Sequence, residues 1–474
     1  MKFARKRLNY PIARPADATT DRDGLTFDFR HGADVIPASA DPILVVGAGP
    51  AGATAARTLA AAGVPVRILD RASFPRNKPC GGGISLRVLK RFPYLEDALP
   101  RIATHTLKRL YLEGPGGAST VIESDEAAAL MIRRVEFDDL LLSLALREGA
   151  ELVTGADIVQ ASATRERVTL VARDGRRFTA PLVIAADGVH SGVARRLGLH
   201  SGWPATSIAL DMMEETPRTE LRDLDPSTLW IAYGYTATGA HDIRGDGPAC
   251  PPQGAAEGYA YIFPKRDHVN IGIGYVLSYY RHAIEASPYE LQRGFVDELR
   301  ARGVVAGESM RRNFMPFMIP VGGPLRRPGR GRVLLAGDAG GFVNAFTAEG
   351  IYYAMVSGDL AARAVIKTRG VVSGDRIARR YRRACSREIG PELRDSVLVQ
   401  RHLFSDRDRI ARIVRNAHRH PAITKLILDY AIGHRSYLSA RRGLIGRSPH
   451  LALGLMWELT KSFARGRLAA LGSA

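Results

Sequence analysis

Three glycines near the start of the chain have the spacing of a phosphate-binding turn. Gly47, Gly49 and Gly52 follow the apolar run Ile43 to Val46, and an alanine-rich helical segment comes directly after them. Gly47 allows a tight turn, Gly49 lets the backbone approach a pyrophosphate, and Gly52 lets the helix pack closely on the strand. The N-terminus of that helix offers free N–H groups and the positive end of a dipole. This order of elements predicts a dinucleotide site.

An acid lies where such a site needs one. A second apolar run, Val64 to Leu69, ends at Asp70, which is 18 residues beyond Gly52. A carboxylate at the end of the second strand can accept a hydrogen bond from a ribose hydroxyl. The alternative is a glycine turn in an unrelated α/β domain, and it is disfavoured because strand, glycines, helix, strand and acid occur in this order.

The composition is that of a folded protein with more than one domain. The chain has 474 residues, of which 46% are hydrophobic, and this is enough for two or three domains with large cores. Its cysteines, Cys80, Cys250 and Cys385, are too widely spaced for a disulfide framework or a metal cluster, which favours a reducing compartment. No apolar run reaches the roughly 18 residues of a spanning helix, and the N-terminus lacks a signal-peptide core. We expect a cytoplasmic protein without a metal site.

Positive charge is concentrated towards the C-terminus. The formal net charge is +19, and from Arg363 onward 24 Lys and Arg stand against 8 Asp and Glu, so about +16 lies in that part. No DNA- or RNA-binding signature accompanies the charge, and nucleic acid is therefore an unlikely partner. The apolar cluster at 451–459, with Leu455 and Trp457, predicts a basic interfacial helix that docks on an anionic membrane surface. An amphipathic helix packed on its own protein is the open alternative.

Strand-like runs fall into two groups along the chain. Those of the first group are buried in character and end next to a glycine or an acid, as in a parallel nucleotide-binding sheet; they lie at 43–46, 64–69, 182–185 and 333–336. Those of the second group look like one antiparallel sheet; they lie at 207–212, 228–233, 258–263, 269–275 and 313–319. Shorter runs at 106–112 and 120–122 indicate an earlier departure from the nucleotide domain. Helices are predicted at 85–92, 135–148, 193–197 and 349–366, and from Asp375 onward.

This order predicts an α/β fold in which a Rossmann-like domain is interrupted by an antiparallel β-sheet domain and followed by a helical region. Residues 1–40 read as an N-terminal extension. The nucleotide domain would comprise 41–105, 131–204 and 326–370. The substrate domain would comprise 106–130 and 205–325, with a loop at 241–256, and the basic helical region would comprise 371–474.

Four further strings resemble those of the geranylgeranyl reductase family. This family belongs to a flavoprotein group with the single-component aromatic hydroxylases and the flavin-dependent halogenases. The strings are FPRNKPCGGGIS (74–85), which continues from the glycine turn, RVEFD (134–138), VIAADGVHS (183–191) and LLAGDAGGFVNAFTAEGI (334–351). The PCGGG string is characteristic of the reductases.

A fifth string is specific to the reductases. GYAYIFPKRDHVNIGIG (258–274) resembles their PxxYxWxFP motif on the substrate sheet. Tyr259, Phe263 and Pro264 match the motif, whereas Ala256 stands for its first proline and Tyr261 for its tryptophan. Without the rest of the string, aromatic core would be the better interpretation of this strand. The departures leave the particular substrate open.

The resemblance implies FAD bound in a glutathione-reductase-type domain. Arg134 would pair with a phosphate, the backbone of Ile158 would meet the adenine, and Asp338 would accept from the ribityl hydroxyls. Gly350 and Ile351 would present N–H groups to the pyrimidine edge of the flavin, where reduced flavin carries negative charge. The implied cofactor-binding residues are Gly47, Gly49, Pro50, Ala51, Gly52, Asp70, Arg71, Cys80, Gly81, Gly83, Arg134, Ile158, Asp187, Asp338, Gly350 and Ile351.

The resemblance also implies reduction of C=C bonds in the isoprenoid chain of a lipid, quinone or pigment. The flavin would supply a hydride, and Cys80, Tyr259 and Tyr261 are the candidate catalytic residues. For Cys80 an inert thiol is an equal alternative. Tyr259, Tyr261, Phe263 and Pro264 would bind the substrate.

A second GxGxxG is missing, so NAD(P)H would visit transiently, or reduced ferredoxin or another electron carrier would replace it. Two other functions remain open. A monooxygenase of the hydroxylase type would share every flavin motif, and a non-catalytic flavoprotein could bind membrane or nucleic acid through its basic tail.

Overall fold

The computed structural model describes residues 41–235, 257–368, 373–404, 406–417 and 434–447, together with Ala422, Lys425, Leu426, Asp429 and Tyr430. The predicted N-terminal extension (1–40), the predicted loop at 241–256 and the apolar cluster at 451–459 lie outside these residues. Cys250, Ala256, Leu455 and Trp457 are therefore outside them as well.

Nineteen strands occur in the described residues. They are β1 (Ile43–Val46), β2 (Val66–Leu69), β3 (Gly83–Ser85), β4 (Thr104–Leu107), β5 (Arg109–Gly114), β6 (Ala118–Glu123), β7 (Ala129–Ile132), β8 (Glu151–Val153), β9 (Ile158–Ala163), β10 (Val168–Ala172), β11 (Arg177–Ala180), β12 (Val183–Ala185), β13 (Ile208–Pro217), β14 (Thr228–Tyr233), β15 (Gly258–Pro264), β16 (His268–Val276), β17 (Met315–Pro320), β18 (Gly329–Arg330) and β19 (Val333–Leu335).

Twelve α-helices accompany these strands in the same part of the chain. They are α1 (Pro50–Ala61), α2 (Arg87–Arg91), α3 (Tyr94–Ala98), α4 (Arg134–Arg147), α5 (Gly192–Arg196), α6 (Leu277–Ala283), α7 (Pro288–Ala301), α8 (Ile351–Ile366), α9 (Gly374–Glu388), α10 (Gly390–Leu403), α11 (Arg407–Asn416) and α12 (Tyr437–Arg447).

The first strands build a six-stranded sheet of the nucleotide-binding type. Its order is β18-β19-β12-β1-β2-β8, and every pair except β18–β19 is parallel. Its strands are short, and β1, β12 and β19 are buried along their whole length, as expected for a parallel sheet covered on both faces. Helices α1 and α8 pack so closely that a Cβ on Gly358 would lie 2.1 Å from the carbonyl oxygen of Ala51. The strands predicted at 43–46, 64–69, 182–185 and 333–336 are confirmed within three residues at each end.

A seven-stranded sheet forms the second layer, in the order β17-β13-β16-β15-β14-β5-β6. The five strands that were predicted as one antiparallel sheet pair antiparallel with one another, as expected. The sheet also takes up β5 and β6, and β5 pairs in parallel with β14, which was not predicted. The run predicted at 106–112 is also two strands rather than one. Of these, β4 joins a small sheet with β3 and β7, whereas β5 and β6 form a hairpin at the edge of the large sheet.

Helices α6 and α7, which the sequence interpretation missed, cover one face of this sheet. Helix α7 begins at a capping box formed by Ser287 and Glu290, a local signal that was present in the sequence. Its apolar side, with Leu291, Phe295 and Leu299, packs in the core with Trp230 and other buried side chains of the sheet. Because side chains alternate along a strand, Tyr259, Tyr261 and Phe263 of β15 lie on the opposite face of the sheet.

The C-terminal part of the chain is helical in the described residues, as predicted. Helix α11 lies over the β5–β6 edge of the seven-stranded sheet, where Ile410 and Val414 are buried with Ala118. Among the helices of the described residues, none is long and apolar enough to cross a membrane. No group of His, Cys, Asp and Glu side chains in the described ranges is arranged to hold a metal ion.

Candidate active site

A cavity of about 1650 Å³ is lined by both large sheets. Sites for a single small ligand usually have about 300–1,000 Å³, so this cavity has room for a dinucleotide and a second molecule. Most of the residues predicted from the sequence line it: Gly47, Gly49, Pro50, Ala51, Asp70, Arg71, Cys80, Gly81, Gly83, Arg134, Ile158, Asp187, Tyr259, Tyr261, Phe263, Asp338, Gly350 and Ile351. Gly52 and Pro264 do not belong to its lining.

The three glycines of the turn have different surroundings. Gly47 has a φ of +97°, and a Cβ there would lie 2.3 Å from the carbonyl oxygen of Ala186. A Cβ on Gly52 would lie 1.8 Å from the carbonyl oxygen of Gly47 and 3.1 Å from the Val45 side chain, so this glycine lets the start of α1 lie on the turn and on β1. A Cβ on Gly49 would meet only the guanidinium of Arg76, at 3.6 Å. Gly49 thus leaves open space between the helix start and the cavity.

The Asp70 carboxylate holds the glycine turn in place. Its Oδ2 accepts from the backbone N–H of Ala48 at 2.7 Å, and its Oδ1 accepts from that of Ala72 at 2.8 Å. Each carboxylate oxygen has two acceptor positions, so both can still accept from a ligand. The contact with a ribose hydroxyl stays a prediction.

Arg134 lies in the wall of the cavity, but a neighbouring acid engages its guanidinium. Its Nε and Nη2 donate to the two oxygens of Asp138 at 2.6 and 2.7 Å. Arg76 reaches the same carboxylate, with Nη2 3.1 Å from Asp138 Oδ2. The other terminal nitrogen of Arg76 is buried and has no hydrogen-bond partner. An orphaned guanidinium nitrogen beside the open space at Gly49 fits a phosphate, because arginine donors match phosphate oxygens.

Sequence reasoning missed Arg76. It lies in the quoted string FPRNKPCGGGIS, where attention went to the cysteine and the glycines. The signal was available, since an arginine placed just after the acid-terminated second strand would reach back to the glycine turn.

The PCGGG loop is pressed against the seven-stranded sheet. A Cβ on Gly81 would lie 2.5 Å from the ring of Phe263, and one on Gly82 would lie 2.1 Å from the carbonyl oxygen of Ile132. Lys265 Nζ donates to the carbonyl oxygen of Cys80 at 3.5 Å and forms an ion pair with Glu215. The thiol of Cys80 accepts from the N–H of Gly82 at 3.4 Å. The glycines therefore let the loop lie directly on the aromatic side chains of β15.

The cavity face of β15 is aromatic, as the period of the strand predicted. Tyr259 donates its hydroxyl to the carbonyl oxygen of Thr347 at 2.7 Å. The rings of Tyr261 and Phe263 are 4.5 Å apart. Opposite Tyr261, strand β16 carries Gly272, and a Cβ there would lie 2.3 Å from Cζ of the Tyr261 ring. The glycine thus makes room for the ring.

Strand β13 contributes an acid that sequence reasoning also missed. Asp211 is only 7% exposed and lines the cavity. The Tyr261 hydroxyl donates towards its two oxygens, each at 3.2 Å. Burial raises the pKa of Asp211 to about 7, although the Tyr261 hydroxyl and the nearby Lys78 act in the opposite direction. The sequence signal was an acid inside the otherwise apolar run SIALDMM.

Two more predicted cofactor residues are placed at the ends of parallel strands. Asp187 accepts from the Ser191 hydroxyl at 2.6 Å and from the Val193 N–H at 3.1 Å, which fixes the start of α5. Burial raises the pKa of Asp187 above its ordinary value. Asp338 follows β19, and its Oδ1 is 3.6 Å from where a Cβ of Gly350 would be. Helix α8 begins at Ile351, so its first N–H groups lie beside this carboxylate.

Beyond the aromatic side chains the cavity continues between the sheet and α11. This part is lined mainly by aliphatic and aromatic side chains, among them Leu112, Ile122, Leu229, Ile231, Tyr233, Phe404, Ile410, Ile413 and Val414. Arg109, Arg409 and Arg412 also lie in the lining. The arrangement suits a long apolar chain, because such walls offer burial without hydrogen-bond partners.

Comparison with known proteins agrees with the dinucleotide half of the cavity. The sequence profile of the FAD binding domain family matches residues 41–262. A menaquinone reductase of Mycobacterium tuberculosis is 32% identical over 333 residues, which are 68% of this chain and 76% of that protein. A digeranylgeranylglycerophospholipid reductase of Methanothermobacter thermautotrophicus is 29% identical over 388 residues, which are 77% of this chain and 86% of that protein.

The fold also has a counterpart among solved structures. A geranylgeranyl bacteriochlorophyll reductase-like protein of Thermoplasma acidophilum superposes with a TM-score of 0.69. The match covers 88% of this chain and 98% of that one, at 19% sequence identity. At this identity the likeness shows a shared fold.

Proposed function

The chain belongs to the geranylgeranyl reductase family of FAD-dependent oxidoreductases, and we propose that it saturates C=C bonds in the isoprenoid chain of a quinone, lipid or pigment. One observation carries the proposal. The dinucleotide half and the apolar half of one cavity meet at the PCGGG loop and the aromatic side chains of β15. A flavin ring and an alkene can therefore be brought together there.

The residues present fit FAD. The open space at Gly49, the start of α1 and the orphaned nitrogen of Arg76 suit the pyrophosphate, with Arg71 nearby in the lining. Asp70 and the backbone of Ile158 would hold the adenosine end. Asp338 and the N–H groups at the start of α8 would hold the ribityl chain and the pyrimidine edge. Gly52 would support the turn without touching the cofactor.

Bound reduced FAD supplies the hydride for the reduction of an alkene. The chain itself positions the two partners and excludes water. Gly81 lies directly on Phe263, so the loop and the aromatic face form one surface against which a planar ring can pack. Tyr259 and Tyr261 are the proposed catalytic and substrate-contacting side chains, with Phe263 as a further substrate contact. Cys80 stays a candidate contact of flavin or substrate, and Pro264 would act only by supporting the strand.

The apolar half of the cavity supports an isoprenoid substrate. A saturated or unsaturated hydrocarbon chain buries its surface against aliphatic walls at about 25 cal/mol per Å². The two relatives named above are called reductases of menaquinone and of a digeranylgeranyl lipid, and both names denote molecules with isoprenoid chains. We infer a substrate of the same chemical class.

The electron donor and the membrane contact are proposals from the sequence. A second GxGxxG is missing, so we propose that NAD(P)H reaches the flavin transiently or that reduced ferredoxin or another carrier protein delivers the electrons. An isoprenoid substrate resides in a bilayer, so we propose a cytoplasmic enzyme that docks at the membrane surface through its basic C-terminal region.

The decisive test is product mass. Dithionite-reduced holoenzyme is incubated without oxygen with menaquinone or with a geranylgeranyl lipid, and products are analysed by mass spectrometry. We expect increments of two hydrogen atoms in the isoprenoid chain of at least one substrate class. No increment with either class, or a gain of one oxygen atom with NAD(P)H in air, contradicts the proposal; the second result indicates a monooxygenase.

A matched pair of surface variants tests the apolar half. Ile413 is 38% exposed and lines the cavity, whereas Leu438 is 47% exposed on α12 and does not. Ile413→Arg should slow turnover of a long-chain substrate several-fold because it places a charge in the apolar lining. Leu438→Arg should have no such effect. Equal rates for both variants would mean that the chain does not occupy this half.

A further inference from the structure

A buried acid and a phenol form a hydrogen-bonded pair in the wall of the cavity. Asp211 on β13 and Tyr261 on β15 are separated by 50 residues in sequence, and β16 lies between their strands. The phenol donates towards both carboxyl oxygens at 3.2 Å. Both side chains are buried and both line the cavity. The pair is therefore shielded from bulk water but accessible to a bound substrate.

The neighbours of the pair are mostly uncharged. On the strands beside β13, the positions opposite Asp211 are Gly274 and Phe317. Lys78 Nζ lies 4.0 Å from the centre of the Phe317 ring, and its charge lowers the pKa of Asp211. On the other side, Cys80 and Tyr259 act on the pKa of Tyr261. Within the described residues, these three titratable groups have the largest effects on the pair.

Burial raises the pKa of both members of the pair. It raises the pKa of Asp211 to about 7, so the carboxyl is protonated in a large fraction of molecules. It raises the pKa of Tyr261 well above its ordinary value, so the phenol stays neutral. Such a pair holds a transferable proton next to an apolar space, where a solvent proton is scarce.

Given the proposed function, we propose that Asp211 and Tyr261 form the proton relay of the double-bond reduction. The O–H bond of Tyr261 breaks as its proton forms a C–H bond with one alkene carbon. When Asp211 is protonated, its carboxyl O–H donates to the Tyr261 oxygen across the same 3.2 Å, which leaves the phenol O–H free to turn to the alkene. This carboxyl O–H breaks at the same time and restores the hydroxyl of Tyr261. The other carbon receives the hydride, so the product gains two hydrogen atoms and Asp211 is left as a carboxylate that water reprotonates between turnovers.

The surroundings support each part of this relay. Lys78 stabilises the carboxylate that the transfer leaves behind, because an opposite charge nearby favours the ionised form. Gly272 leaves space for the ring of Tyr261 to lie over β16. Tyr261 stands where the reductase motif has tryptophan, so in this chain a hydroxyl, rather than an indole, reaches the acid. Tyr261 would thus be a catalytic residue, and Asp211 would act through it.

The first test needs no substrate. Infrared spectra of the FAD-loaded protein in D2O are recorded across the pH range for the wild type, Asp211→Asn and Glu214→Gln. Glu214 is a buried acid of the same strand that bonds to Ser309 and Met310 on the other face, so it serves as the matched control. We expect a carboxylic-acid band that disappears with a midpoint near pH 7, is missing in Asp211→Asn and persists in Glu214→Gln. Without such a band the proposal is wrong.

The second test follows flavin reoxidation by an isoprenoid substrate after reduction with dithionite. We expect Tyr261→Phe and Asp211→Asn to retain FAD and to be reduced as the wild type is, but to be reoxidised about 100-fold more slowly. The wild-type rate should fall as pH rises through 7, the rate of Asp211→Asn should lose this dependence, and Asp211→Glu should recover part of the rate. Tyr280→Phe, which loses a hydroxyl bonded to Ala286 outside the cavity, is the control.

The outcomes separate this proposal from the function it rests on. If no isoprenoid substrate reoxidises the wild-type flavin, the proposed function and the relay both fail. If the wild type is reoxidised and both variants keep its rate and pH profile, the relay alone is wrong. Slow variants whose pH profile still follows that of the wild type also overturn the relay, because a merely structural role for Asp211 would leave the profile in place.

Discussion

The two walls of the cavity are built in different ways. The dinucleotide wall consists largely of backbone: the glycine turn and helix start at residues 47–52, with Asp70 bonded to Ala48 and Ala72, and the ends of β12 and β19 next to Asp187 and Asp338. The substrate wall consists of side chains from strands that are distant in sequence, such as Asp211 and Tyr261. The first wall can be recognised from local spacing, whereas the second depends on the register of a sheet.

The difference shows what each wall tolerates. A backbone wall fails when any side chain fills the space that the ligand needs. A side-chain wall can be repacked one residue at a time, and the resulting changes appear in substrate choice and proton transfer while cofactor binding persists. Four measurements test this contrast.

The largest effect is expected at Gly49. Gly49→Leu places a side chain in the open space beside Arg76, where the pyrophosphate would lie. The purified variant should therefore carry no FAD and take up none, as judged by absorbance and by release of free flavin. The control is Gly446→Leu on α12, where a side chain would meet nothing within 4 Å. If Gly49→Leu is purified with bound FAD and is yellow, the open space at Gly49 is not needed for the cofactor and the prediction is wrong.

The next effect concerns stability against pH at Asp211. Because the pKa of Asp211 is raised to about 7 in the folded protein, its contribution to stability is complete below the unfolded value of about 4 and is lost as pH rises through 7. Asp211→Asn removes this loss. Relative to the wild type, its free energy of unfolding should increase by up to about 4 kcal/mol between pH 4 and pH 8.

Chemical denaturation at several pH values measures this shift. Asp225→Asn is the control, because hydrogen bonds from Ser227 and the nearby Arg109 lower the pKa of this exposed carboxyl. Its difference from the wild type should be small and of opposite sign. If the difference in free energy of unfolding between Asp211→Asn and the wild type does not change with pH, Asp211 is ionised in the folded protein and the prediction is wrong.

A smaller effect is expected where a glycine supports an aromatic ring. Gly272→Ala puts a Cβ 2.3 Å from Cζ of Tyr261, so the ring must move away from Asp211. Overpacking of this kind costs about 1–3 kcal/mol. FAD content should stay that of the wild type while alkene reduction falls, which would separate the two walls. Gly274→Ala, whose nearest atom would be 3.4 Å away, should cost less, and equal costs would contradict the close fit.

The smallest effect concerns how the substrate reaches the cavity. A dinucleotide arrives from water, whereas an isoprenoid chain arrives from a bilayer. The region from Arg363 onward has about +16 of charge, and each basic residue near an anionic surface contributes on the order of 1 kcal/mol. Full-length protein should bind anionic vesicles at low ionic strength, less so in high salt. Trp457→Ser with Leu455→Ser should weaken binding, whereas Leu438→Ser on α12 should not.

Two results would refute this docking. One is that full-length protein ignores anionic vesicles at low ionic strength. The other is a measurement, such as fluorescence quenching, that finds Trp457 buried against the protein itself.

Local signals were sufficient for the first wall. The glycine turn, the acid after β2 and the strands that end near Asp187 and Asp338 were all predicted, because each signal lies within a few residues of the group it positions. Arg76 shows the limit even here. Its position in the sequence indicated an arginine near the turn, but only the fold shows that its guanidinium lies 3.6 Å from where a Cβ of Gly49 would be.

The second wall could be predicted only in part. Alternation placed Tyr259, Tyr261 and Phe263 on one face of a strand, and the structure agrees. Asp211 escaped prediction because its partner is 50 residues away and the pairing of β13 with β16 fixes their distance. The parallel pairing of β5 with β14 was not predicted for the same reason: the two strands are far apart in sequence, and neither segment contains a residue pattern that identifies the other as its neighbour.

The interleaving of the two sheets has a consequence for the order in which the protein folds during synthesis. Strand β1 is made first, yet its sheet closes only when β19 ends at Leu335, and the seven-stranded sheet also waits for β17 at 315–320. A growing chain therefore carries apolar strands with open edges for about 290 residues. Sheets with such distant partners form slowly and expose surface to aggregation. A fragment that ends before β19 should stay sensitive to proteases even with FAD present, and a chaperone that shields strand edges should raise the yield of the full chain.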